Sequence, residues 1–127
     1  MNIQRFDDVQ WHVPVSRRED VDFDTEPPAG EPGRKFLVDG QGGFYVQAVK
    51  VPAGFTAPVH SHSHPEVFMV VAGTCTFNDE PMGALDCVVV DANTDYTFTA
   101  GPDGVTFMVT RQAIASYAEA GSSEGTA

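Results

Sequence analysis

His60, His62 and Glu66 lie in the run Gly54-Phe55-Thr56-Ala57-Pro58-Val59-His60-Ser61-His62-Ser63-His64-Pro65-Glu66, which closes at Gly73. Two histidines two residues apart share one face of a β-strand, because side chains alternate with period two. A carboxylate four residues further on joins them if the chain turns into a second strand beside the first. Imidazoles with a carboxylate are a ligand set for a mid-to-late first-row transition ion. The expectation is therefore a metal-binding β-barrel with His60, His62 and Glu66 as ligands.

The elements that must hold these residues are short strands. From Lys35 onward the texture is β: Lys35–Val38, a glycine-rich turn over Asp39–Gly43, then Phe44–Val51. Val59–Ser63 is the histidine strand, and Glu66–Ala72 follows it, with Gly73 as its end or a bend. Thr74–Phe77, Cys87–Val90, Tyr96–Thr99 and Val105–Arg111 continue the pattern, the last two separated by a turn at Gly101-Pro102-Asp103-Gly104. Even spacing of short strands points to a barrel or sandwich, not to βαβ units. Residues 1–33 are broken by prolines and glycines and read as an arm, in which Val9–Val15 around Trp11 supplies an edge strand. The barrel then occupies 34–111. In the tail, 112–127, Gln112–Ala120 is expected to form a short helix and Gly121–Ala127 to be disordered.

A chain of 127 residues suffices for one domain with a real core. Seven basic against eighteen acidic residues give a formal charge of −11. Such a balance repels phosphate backbones and anionic lipid, so neither nucleic acid nor membrane is an expected partner. The four carboxylates within Glu19–Asp24 read as a solvated loop. No apolar run is long enough to span a bilayer and no signal-peptide pattern opens the chain, so the expected location is the cytoplasm. Cys75 and Cys87 sit in apolar runs and are expected to be small core residues.

The spacing Gly54-x5-His60-x-His62-x3-Glu66-x6-Gly73 resembles the first motif of the cupin superfamily at every fixed position. That resemblance implies an all-β fold: a double-stranded β-helix, or jelly-roll barrel, usually dimeric. It also implies one divalent transition metal per chain inside the barrel, one of Fe, Mn, Ni, Cu or Zn. The family's second motif normally adds a histidine after a Pro-x-Gly turn. Here Asp91 stands where proline is usual, Asn93 where glycine is usual, and Tyr96 where the fourth ligand would be. Asparagine tolerates the left-handed backbone such a turn needs. Three arrangements compete. Tyr96 ligates as a phenolate, since a cation stabilises the deprotonated form; or His64, which shares strand parity with His60 and His62, takes the place; or His60, His62 and Glu66 act alone with water completing the sphere. The third is favoured, with Tyr96 close enough to hydrogen-bond a metal-bound water or the substrate, because two histidines and one carboxylate leave open positions for substrate and dioxygen.

If Glu66 points inward, Phe68 and Val70 follow by parity; Tyr96 and Phe98 share a face, as do Phe107 and Val109, the last pair in either phase, with Phe44, Val46 and Phe55 as further wall. This lining suits a small organic substrate with one chelating end: a diketone, a phenol or a carboxylic acid. No arginine or lysine stands in the inward set unless Lys50 turns in, which disfavours a phosphorylated sugar. The first expectation is a metal-dependent oxidation of dioxygenase type, with Glu66 as ligand or proton acceptor. A lyase or isomerase using the metal as Lewis acid and Tyr96 as acid or base is the variant. A non-catalytic cupin that binds a metal or small ligand is the alternative from another class.

Overall fold

Alternation along the strands sorts the interior from the surface. In a computed structural model, which describes residues 1–12, 22–23 and 30–120, the strands are β1 Trp11–His12, β2 Asp22–Phe23, β3 Gly33–Asp39, β4 Tyr45–Val51 and β5 His60–His62. They continue with β6 Glu66–Phe77, β7 Glu80–Met82, β8 Cys87–Val90, β9 Phe98–Arg111 and β10 Tyr117–Glu119. Most of the acidic stretch around Asp22–Phe23 and the final segment 121–127 lie outside the described residues. Among the described residues no helix is long and apolar enough to cross a membrane.

One sheet runs β2-β1-β3-β4-β9-β6-β7, with β8 also on β6, and β10 pairs with β5 apart from it. Strands β6 and β9 serve both leaves of the barrel, pairing from Val67↔Thr110 to Phe77↔Phe98. They bend together where Gly73 (φ 76) meets Gly104 (φ 78). A Cβ on Gly73 would run into the Gly104 carbonyl oxygen, so the residue that closes the histidine motif must be glycine. The expected turn at Gly101–Gly104 is thus a corner inside the continuous strand β9, because its partner bends at the same level. The second leaf brings the chain before β5 against the start of β9: Ala57 N–H donates to the Phe98 carbonyl at 2.9 Å, and Ala100 N–H to Phe55 at 2.8 Å.

Phe68 and Val70 on β6 are wholly buried, and the Phe68 ring stacks on Phe107 at 4.3 Å and meets Phe77 at 5.1 Å and Phe98 at 5.6 Å. Together with Val49, Val51, Cys75 and Val109 they fill one end of the barrel. Phe55 packs on this core from the edge. Three expectations are corrected. Phe44 is 50% exposed, and Val46 lies in the opposite phase to Val49 and Val51, which are the core residues of β4; neither lines the interior. Cys87 is exposed, alternating with the inward Val88 and Val90, whereas Cys75 is in the core as expected.

No helix forms over 112–120. Tyr117–Glu119 is instead strand β10, paired antiparallel with the histidine strand through Tyr117↔His62 and Glu119↔His60. Helix-forming residues yield here to tertiary context. The β5 edge needs a partner, and the segment supplies one: Ala120 N–H donates to the Val59 carbonyl at 2.7 Å, and Ser116 N–H to Ser63 Oγ at 2.9 Å. At the other end, β1 pairs with β3 through His12↔Arg34, while residues 13–15 of the expected edge strand lie outside the described residues. The arm packs on the outer face, where buried Lys35 donates to the Phe6 carbonyl at 2.6 Å and sits 3.8 Å over the Phe6 ring and 4.7 Å from Trp11. Carbonyl and rings together compensate the buried ammonium.

Candidate functional site

The other end of the barrel is polar. Strand β5 carries His60 and His62 with ring centroids 5.1 Å apart. His60 Nδ1 lies 2.6 Å from the Pro58 carbonyl oxygen, and His62 Nδ1 lies 2.9 Å from that of Ser116. A carbonyl only accepts, so each Nδ1 carries the hydrogen and each Nε2 presents a lone pair. Burial is the main cause that lowers both pKa values below the ordinary imidazole value, and Arg111 adds to it. Both rings are therefore neutral at pH 7. Tyr117 stacks on His60 at 4.9 Å, so β10 both fixes one histidine and covers the other.

Tyr96 faces His60 across an antiparallel bridge, their backbones exchanging hydrogen bonds of 3.0 and 2.8 Å. The turn before it survives the loss of glycine: Asn93 adopts φ 59 and its N–H donates to the His62 carbonyl at 2.7 Å. Tyr96 O–H donates to Glu66 Oε2 at 3.1 Å. Burial, reinforced by the Glu66 carboxylate, raises the Tyr96 pKa far above its ordinary value, so the side chain is a neutral phenol.

Glu66 opens β6 and is buried. Its Oε1 accepts two hydrogen bonds from Arg111, from Nε at 3.0 Å and Nη2 at 2.7 Å. Arg111 closes β9 in the same alternation phase as Phe107 and Val109, which is why it points inward. Arg34 on β3 is a second guanidinium in the interior. It sits opposite Val49 of the core, and its Nη1 donates to Gln47 Oε1 at 3.0 Å. Its Nε is buried and has no hydrogen-bond partner among the described residues.

The structure thus gathers His60, His62, Glu66 and Tyr96, and adds Arg111, Arg34, Gln47 and Tyr117, which the sequence reading missed. His64 stays apart; it is exposed and bonded to Ser63 Oγ at 2.9 Å. The missed arginines also remove the argument that the interior lacks a cation. A signal for Arg111 was present, since the phase that turns Phe107 and Val109 inward extends to residue 111.

The two imidazoles fit a transition ion, with each Nδ1–H fixed on a carbonyl and Nε2 left to coordinate. The carboxylate as placed does not fit. Its Oε1 is held by the Arg111 guanidinium and its Oε2 by Tyr96, while His62 Nε2 stands 3.9 Å from Oε1. A cation bound there would also meet the guanidinium's charge. Among the described residues no three His, Cys, Asp or Glu side chains form a metal-binding group.

No protein-family model matches the sequence, and no curated protein matches it. Solved structures do. The chain is similar to the polyketide cyclase RemF from Streptomyces resistomycificus at 20% identity and a TM-score of 0.72, over 98% of this chain and 88% of that one. It is similar to an RmlC-like cupin from Ralstonia eutropha at 20% identity and a TM-score of 0.68, over 98% and 79%. A sugar phosphate isomerase of the cupin superfamily from Silicibacter pomeroyi aligns at 18% identity and a TM-score of 0.65, over 95% and 83%. The chain has the fold of the cupin superfamily.

Proposed function

We propose that this chain is a cupin enzyme that moves protons on a small organic substrate, giving isomerase, cyclase or lyase chemistry. The observation that carries this reading is the division of labour around Glu66. Its carboxylate is held by Arg111 and Tyr96, while the Nε2 lone pairs of the two histidines accept no hydrogen bond from the described residues. A substrate enters beside His62 and Arg111, whose side chains keep 13% and 11% of their exposure over buried Glu66.

His62 Nε2 is the general base. It accepts a proton from a carbon next to a carbonyl; the C–H electron pair becomes the enolate double bond, and the carbonyl oxygen takes the negative charge. Arg111 faces that charge, and the Nδ1–H bond to Ser116 steadies the imidazolium while it holds the proton. Return of the proton to a neighbouring carbon isomerises the substrate. Attack by the enolate on a second carbonyl closes a ring, and loss of a β-substituent makes the reaction a lyase. Two fold neighbours are named a cyclase and an isomerase, an analogy of fold alone.

The oxygenase-type reading is the second candidate. What favours it is the pair of Nε2 lone pairs already oriented for an ion; what opposes it is the engagement of Glu66 by Arg111. Deuterium wash-in from heavy water at the carbon next to the carbonyl of levulinate, followed by proton NMR, tests the proposal. The expected result is exchange that falls by about a hundredfold in His62→Gln. Absence of exchange, with oxygen uptake in its place, would overturn it. Binding without exchange would leave a non-catalytic binding cupin.

A further inference from the structure

We infer that Arg34 and Arg111 form a two-guanidinium seat for the carboxylate of the substrate, so that the ligand class is a small organic monoanion; this deepens the proposed function by naming what the site takes. Three strands bring the two side chains to one region of the barrel interior. Arg34 on β3 pairs with Val49 on β4, and both lie on the inner face. Gln47, the next inward position on β4, accepts from Arg34 Nη1 at 3.0 Å. Tyr45, one inward position further, pairs with Arg111 on β9. Phe36, the register partner of Gln47, is 38% exposed, and a β-bulge follows it between Phe36 and Val38.

The two guanidiniums differ in how they are satisfied. Arg111 spends Nε and one Nη2 hydrogen on Glu66 Oε1. Among the described residues Arg34 donates to the neutral side chain of Gln47 and has a buried Nε–H with no acceptor. An unsatisfied buried donor on a charged group is costly, so its retention calls for an acceptor that arrives from outside. Burial, and after it repulsion from Arg111, lowers the proton affinity of Arg34. Two guanidiniums against the Glu66 carboxylate leave one positive charge, with His60 and His62 neutral. One negative charge balances it. A planar carboxylate also matches the fork of a guanidinium, accepting two parallel N–H bonds. A phosphate dianion would overshoot the charge beside Glu66.

The test is binding measured by titration calorimetry with levulinate, benzoate, their neutral amides and inorganic phosphate, on the parent protein, Arg34→Met and Arg34→Lys. The expected result is that both carboxylates bind at least tenfold more tightly than their amides and than phosphate. Arg34→Met loses at least tenfold of that affinity while melting no lower than the parent, and Arg34→Lys recovers part of it. Equal binding of acid and amide, tighter binding of phosphate, no binding of either carboxylate, or affinity unchanged in Arg34→Met would each overturn the seat. Failure of the proton-transfer reading looks different. Carboxylates would then bind with the stated Arg34 dependence but show no deuterium wash-in, whereas wash-in into neutral ketones without a preference for acids would remove the seat and leave the chemistry.

Discussion

Arg111 ends on Glu66 through one oxygen: Nε at 3.0 Å and Nη2 at 2.7 Å both reach Oε1. The motif that gives Glu66 to a metal in the sequence reading gives it to an arginine in the folded chain. Breaking a buried pair leaves an uncompensated charge, so Arg111→Met should lower unfolding stability by about 3 kcal/mol. Urea denaturation measures this, and the double variant Arg111→Met/Glu66→Gln should recover part of the loss. An Arg111→Met protein as stable as the parent would show that the pair is not formed.

The same substitution frees Oε1. Zn2+ titration of Arg111→Met should show affinity at least tenfold above that of the parent, because His60 and His62 already present Nε2 and the carboxylate would then join them. Stoichiometric Zn2+ binding by the parent, as tight as by the variant, would contradict the engagement of Glu66.

Tyr96→Phe removes the donor to Oε2 without a large cavity. A hydrogen bond to a buried charged acceptor contributes roughly 2 kcal/mol, and the melting and denaturation midpoints of the variant should fall accordingly.

Acid should destabilise the protein through the two histidines. Burial lowers their folded-state pKa below the ordinary value of 6.5, while in the unfolded chain they titrate near it. The unfolded state therefore binds more protons in the window below 6.5, so the stabilisation is whole above that pH and is lost as pH falls through the folded-state values. Melting followed from pH 7.5 to pH 5 should show the decline, and His60→Gln/His62→Gln should flatten it.

Gly73→Ala should be severe. The position needs φ 76, and the new methyl would meet the Gly104 carbonyl oxygen at the corner of the barrel. Strain and overpacking together should cost roughly 3 kcal/mol, readable as a fall in the urea midpoint.

How much of this was legible follows from what kind of signal each residue leaves. His60, His62, Glu66, Gly54 and Gly73 are fixed by local spacing, and period-two alternation groups Phe68 with Val70 and Phe107 with Val109, all four of which lie in the core. Asn93 kept the turn as expected, with φ 59. The errors lie where the outcome depends on a partner strand. Residues 117–119 have helix-forming composition, yet the free edge of the histidine strand captures them. Phe44 and Val46 were misassigned because alternation alone does not say which phase faces the core; pairing of Val49 with Phe107 decides it. Arg34 was missed because its inward phase follows from its pairing with Val49 on the neighbouring strand.

The most direct test compares deuterium wash-in into levulinate after exhaustive chelation with wash-in after addition of Fe2+, Mn2+, Ni2+ or Zn2+. Proton transfer by His62 beside an arginine-held Glu66 predicts exchange that persists after chelation and does not rise with any of the ions. Exchange that disappears on chelation and returns with one ion would contradict it and return Glu66 to that ion.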